Sequence, residues 1–231
     1  MFAILFLLIG ITALFYCGSL SRKIAPHSEV KRQFIYQVAT LGIAIFLVTL
    51  NRLTNNEYVS TLTRGDSALP TSNLSIIGIK DGTPWSEIGP TFVLIPLVVT
   101  AVVVYLQTLK GMKINWRYAP IAIMFSTLFS LVNSLTEELI FRVIPIEGLY
   151  NHVSVPLLAI LCGVAFGIPH YFGNPGRIPG VLMAGFLGWI AGLSILETGG
   201  IAWAWGIHFA QDVPIILMLL LKERGNHEAS H

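Results

Sequence analysis

Long apolar runs separated by short polar gaps fill nearly the whole chain. A helix that crosses the hydrocarbon core of a bilayer needs about 20 mostly apolar residues. Seven runs reach that length: Phe2–Leu20, Gln33–Leu50, Ile88–Leu109, Ala119–Ile146, Val153–His170, Ile178–Leu196 and Ile201–Leu221. The pattern predicts an all-α, polytopic transmembrane helix bundle of about seven spans. The first run lacks the basic start and small-x-small cleavage site of a signal peptide, so it is read as a true span. The one long polar stretch, Asn51–Glu87, holds a short apolar run at Leu74–Ile79 and reads as either a cap or a loop.

Composition agrees. Of 231 residues, 54% are hydrophobic and 11% charged, against about 25% charged in a soluble domain. Mean hydropathy is +0.73. The net charge of +2 gives no footprint for nucleic acid. Cys17 and Cys162 both sit in apolar runs and read as small packed residues, not as a disulfide or metal pair. Basic residues collect in alternate gaps: Arg22, Lys23, Lys31, Arg32, Lys110, Lys113, Arg117, Arg177, Lys222 and Arg224, against Arg52, Arg64 and Lys80 in the other gaps. The positive-inside rule then predicts an outside N-terminus, a cytoplasmic C-terminus and an outside polar stretch. The expected location is the plasma (inner) membrane of a bacterium.

An ionisable residue inside a span costs about 2.5–3.5 kcal/mol at the helix centre, so such residues are functional candidates. Three clusters stand out. In Thr136-Glu137-Glu138-Leu139-Ile140-Phe141-Arg142, Glu138 and Arg142 are four apart and can pair on one helix face. Glu137 points about 100° away and is free to act as a general base. In Phe166-Gly167-Ile168-Pro169-His170, the proline ends or kinks the helix just before a histidine. In His208-Phe209-Ala210-Gln211-Asp212, the carboxylate lies one turn from the imidazole and can orient it. No HExxH, GxSxG or paired intramembrane aspartate pattern is present. Read alone, the first cluster also fits a structural ion pair at a membrane boundary, the second an interfacial histidine and the third a satisfied polar pair between packed helices.

Taken in order, the three motifs resemble the CPBP family, also called Abi. These intramembrane proteases include the type II CAAX prenyl endopeptidases and bacteriocin-processing or immunity proteins. Their pattern is E-E-x-x-x-R, then F-x-x-x-H, then H-x-x-x-N or D, met here by Glu137-Glu138…Arg142, Phe166…His170 and His208…Asp212 over roughly Ala119–Leu221. The resemblance implies an N-terminal helical part (1–110, with loop 51–87) and a catalytic bundle (111–231). It implies Glu137 as the base, with His170 helping to hold the attacking water. His208 and Asp212 would stabilise the oxyanion, with Glu138, Arg142 and Phe166 in support. Asp212 in place of Asn departs from the prenyl endopeptidases, because an ionised Asp cannot donate a hydrogen bond; orienting His208, or acting while protonated, is then its expected part. Pro169 is a second departure.

The expected function is therefore an intramembrane endopeptidase using glutamate- and histidine-activated water. Its partners would be membrane lipid and a peptide or protein substrate, prenylated or not, and no nucleic acid. No cofactor is required on this reading. Glu137, His170, His208 and Asp212 are also a donor set for a divalent metal such as zinc, which keeps a metal-dependent protease open. A non-catalytic immunity or scaffold protein is the alternative, and a proton-relaying transporter a third. One constraint is geometric. Glu137 and His170 share a site only if the fourth helix continues through Arg142–Tyr150, or if Gly148–Val155 re-enters the bundle.

Overall fold

Every apolar run folds as a helix. The computed structural model describes residues 2–55, 59–110, 114, 116–172 and 176–228. Lys113 lies outside the described residues, as does the side chain of Arg224. The seven helices are α1 (Phe2–Ile24), α2 (Glu29–Thr54), α3 (Trp85–Thr108), α4 (Ala119–Leu149), α5 (Val155–Phe172), α6 (Arg177–Thr198) and α7 (Ala202–Lys222, continuing to Glu228). All are long and apolar enough to cross a membrane, and no strand occurs among the described residues. The protein is an integral membrane helix bundle.

α4 and α7 pack against each other at the centre. The α1–α2 hairpin leans on α4, α3 lies along α7, and α5–α6 form a tight pair that also meets α7. That pair is set by glycine. A Cβ at Gly163 would lie 2.7 Å from the Gly185 carbonyl, and one at Gly167 would lie 2.7 Å from the Val181 carbonyl. Small residues four apart let two backbones approach within a membrane, where dispersion contacts replace the hydrophobic effect. Gly180 plays the same part beneath His170, whose carbonyl would be 2.7 Å from an added Cβ.

The described part of the polar stretch is a folded cap. Two carboxylates staple it to the helix ends. Glu147 of α4, with no exposed side chain, takes a two-pronged contact from Arg52, with Nε and Nη2 each 2.7 Å from a carboxylate oxygen. It also accepts from the Thr61 backbone at 2.8 Å and hydroxyl at 3.0 Å. Glu197 of α6 accepts from the Ser72 N–H and hydroxyl, the Asn73 amide and the Trp85 indole. Gly65, at φ +74°, lets the cap backbone run against the α6–α7 turn, where Asp66 N–H donates to Thr198 and Ile201 N–H to Thr63. Leu74 and Trp85, both fully buried, anchor the cap in the core.

The cap meets the C-terminal ends of α2, α4 and α6. The opposite end of the bundle therefore carries Arg32, Arg117, Arg177 and Lys222, together with Arg22 and Lys23 at the end of α1. The charge asymmetry read along the chain is thus an asymmetry between two faces. Both cysteines are buried and free, as expected.

Glu147 is fully buried and accepts from Arg52, whose side chain is about three-quarters buried, and from Thr61. Glu147→Ala is expected to cost about 2–3 kcal/mol, just under the range for a fully buried pair. Thermal unfolding in micelles measures this, and limited proteolysis should find new cuts in the cap.

Candidate active site

α4 stays helical through Leu149, which meets the geometric constraint without a re-entrant turn. It widens to a π turn at Leu139–Val143, directly after the glutamate pair and before Pro145. Pro145 has no N–H and its ring crowds the preceding turn, and a widened turn relieves both. The Ile144 N–H then reaches back to the Leu139 carbonyl, and Asn51 of α2 donates to the Ile144 carbonyl at 3.2 Å.

Glu138 and Arg142 face inward and neither side chain is exposed. Arg142 Nη1 lies 3.1 Å from Glu138 Oε1, an ion pair by distance. It lacks hydrogen-bond geometry, however, and none of the guanidinium nitrogens has a hydrogen-bond partner among the described residues. The guanidinium carbon sits 4.0 Å over the Phe166 ring instead, where the ring's negative face offsets part of the burial cost. Phe166 also meets Phe141, His170 and His208, with ring centroids at 5.2, 4.6 and 5.1 Å. It is the apolar hub of the site.

His208 Nδ1 lies 2.8 Å from Glu138 Oε1. A carboxylate only accepts, so Nδ1 carries the hydrogen and Nε2 points the other way. There it faces Glu137 Oε2 and Asp212 Oδ1, each at 3.6 Å. The bond that orients His208 therefore comes from Glu138. Asp212, expected from its spacing to do this, stands beyond hydrogen-bond reach of the ring and is itself held by Asn133 at 2.9 Å.

His170 sits in a 3₁₀ turn, Ile168–Phe172, that follows the α-helical part of α5. Pro169 offers no N–H to the turn before it. His170 Nδ1 lies 2.8 Å from the Phe166 carbonyl, so it donates and leaves the Nε2 lone pair free. Glu137 and His170 make no direct bond among the described residues. They meet across a cavity of about 600 Å³ that both line, with Phe141, Pro169, Phe172 and Leu219. The rest of the wall is α1 and α2, from Ile11 and Leu14 to Arg22, Glu29 and Arg32 at the basic end.

Residues 119–214 match the family model of Rce1-like type II CAAX prenyl endopeptidases. The motif-bearing segment is similar to that family, which is one of proteases. No curated protein and no solved structure matches the chain. All three motifs lie within the Rce1-like segment, which spans α4 to the middle of α7.

The chain outside that segment also reaches the site. Asn133 donates to Glu137 Oε1 at 3.2 Å as well as to Asp212, and accepts from Gln37 of α2 at 3.2 Å. Neither amide belongs to a motif. The signal was a polar residue four before Glu137, and another in the first half of span two. No group of three or more His, Cys, Asp or Glu side chains among the described residues is placed to hold a metal ion. The Nδ1 atoms of His170 and His208 are committed, and Asn133 holds one oxygen each of Glu137 and Asp212, which leaves Nε2 of each ring and the second oxygen of each carboxylate as the donor atoms of the set named for a divalent metal.

Glu138→Ala leaves Arg142 buried and uncompensated, at an expected cost of about 3–5 kcal/mol. Replacing both, as Glu138→Leu with Arg142→Met, should recover at least half of that loss. Denaturation in micelles compares them, and a double variant as unstable as the single would refute the ion-pair account.

Proposed function

We propose that the protein is an intramembrane endopeptidase that hydrolyses a peptide bond with water activated by Glu137. The observation that carries this reading is the single cavity lined by Glu137 and His170. Glu137 Oε1 is held by Asn133, so the carboxylate is oriented and Oε2 remains to take a proton. His170 presents a free Nε2 lone pair to the same space. A water between them is positioned to attack the carbonyl carbon. Its proton passes to Glu137, the tetrahedral intermediate forms, and Glu137 returns the proton to the amine as the C–N bond breaks. His208, doubly protonated, would keep one N–H on Glu138 and turn the other toward the oxyanion, beside Asp212.

The substrate class we propose is a peptide or protein C-terminus that enters from the membrane, a prenylated CAAX-type end being the first to test. The cavity supports this by its polarity. Apolar side chains of α1, α4 and α5 line it, Glu137, Glu138 and Asp212 cluster at one end, and Arg22 stands at the other beside the Arg32–Glu29 pair. An anionic chain end is drawn to Arg22 and repelled from Glu137. The basic face is the cytoplasmic one on this reading, with the C-terminus inside the cell and the cap outside. A bacterial plasma membrane is the proposed location.

Glu137→Gln should lower peptide cleavage in liposomes about 100- to 10,000-fold, the usual worth of a general base. Chelator should leave the wild type active. Full activity of Glu137→Gln removes the assignment of the base, and loss with chelator, restored by a divalent ion, replaces it with a metal-dependent reaction.

A further inference from the structure

Three residues on one face of α2, each four apart, form a ladder that ends at the catalytic carboxylate. Gln33 Nε2 donates to Glu29 Oε1 at 2.9 Å, and Gln37 Nε2 donates to Gln33 Oε1 at 3.3 Å. Gln37 Nε2 also donates to Asn133 Oδ1 at 3.2 Å, and Asn133 Nδ2 donates to Glu137 Oε1 at 3.2 Å and Asp212 Oδ2 at 2.9 Å. The ladder starts at the basic end, where Arg32 pairs with Glu29, and reaches the site through Gln37, which is only 3% exposed.

The sense of every amide in this chain is forced. A carboxylate only accepts, so Gln33 must turn its NH₂ to Glu29 and its oxygen to Gln37. Gln37 must then turn its NH₂ to both Gln33 and Asn133. Asn133 is left with its oxygen toward Gln37 and its NH₂ toward Glu137 and Asp212. The carboxylates at the far end demand the same sense, so the assignment is consistent from both directions. Its cost is visible: Gln37 spends both hydrogens, and its buried Oε1 has no hydrogen-bond partner among the described residues. An unpaired buried acceptor is a penalty, and here it accompanies a fully directed chain.

We infer that Glu29, Gln33, Gln37 and Asn133 form a hydrogen-bond relay that positions Glu137, with Gln37 and Asn133 as positioning residues for the proposed hydrolysis. Two of its features separate it from the site already described. It originates on α2, outside the matched segment, and Gln37 and Asn133 do not line the cavity. Breaking it at Gln37 or Asn133 changes how Glu137 is held without changing the wall that substrate touches, which Glu29 and Gln33 do line. Because each amide fixes the next, the links act as a unit.

The test has one arm that needs no activity. The Glu137 carboxylate stretch is isolated by subtracting the infrared spectrum of Glu137→Gln from that of the full chain in nanodiscs. It should shift in Asn133→Ala and in Gln37→Leu, whose buried side chain is apolar and of similar size. In cleavage assays, kcat should fall about 10- to 100-fold in Asn133→Ala, the range for losing one hydrogen bond to a charged group, with KM within about twofold of the wild type. The double variant should be no worse than Asn133→Ala, because residues in one relay are not additive. An unmoved band in Gln37→Leu overturns the inference, as do losses that multiply in the double variant. If Asn133→Ala does not fold, the Gln37→Leu band decides alone. If Glu137 proves not to be the base, the infrared arm still reports whether the relay holds it.

Discussion

One carboxylate oxygen holds the centre of this bundle together. Glu138 Oε1 has Arg142 on one side and His208 on the other, and none of the three side chains is more than 3% exposed. A charge taken out of water into a helix bundle must find opposite charge or hydrogen bonds nearby. Glu138 meets that demand for α4 and α7 at once. It sets the tautomer of His208, and with it the direction of Nε2. Phe166 then fixes α5 against the same group by placing its ring under the guanidinium and its edge against both histidines.

The remaining architecture brings these three helices to one place and leaves a space beside them. Glycines at 163, 167, 180 and 188 let α5 and α6 approach until the 3₁₀ turn bearing His170 is held by the backbone beneath it. The cap ties the far ends of α2, α4 and α6 through Glu147 and Glu197. With those ends fixed, α1 and α2 close the other side of the cavity. Charged groups do different work in the two places: those at the cap are saturated with donors, whereas Glu137 has one oxygen on Asn133 and the other 3.6 Å from His208 Nε2, beside the cavity that it lines.

The division of labour along the chain follows. The Rce1-like segment carries the three motifs, and the helices before it supply most of the cavity wall and an amide ladder into its centre. The motif residues and most of the cavity wall thus sit on different helices, with Asn133 as the joint between them. A change at Gln37 reaches Glu137 through Asn133, whereas Glu29, Arg32, Gln33 and Tyr36 of the same helix line the cavity.

Much of this was legible along the chain. Seven spans follow from run length, because the bilayer fixes how many apolar residues a helix needs. The Glu138–Arg142 pair follows from a spacing of four on one helix, and the two-faced charge from alternation of loops. The motif order points to the Rce1-like segment. Other features needed tertiary structure. Spacing alone favoured Asp212 as the partner of His208, because it lies one turn away, but the fold brings Glu138 from another helix to a better position. Gln37 and Asn133 are 96 residues apart, and no local pattern pairs them. Whether residues 51–87 form a cap depends on acceptors at Glu147 and Glu197, far along the chain. Local periodicity dictates helices and the faces they present. Which faces meet is decided only when buried polar groups must find partners, and that search runs over the whole fold.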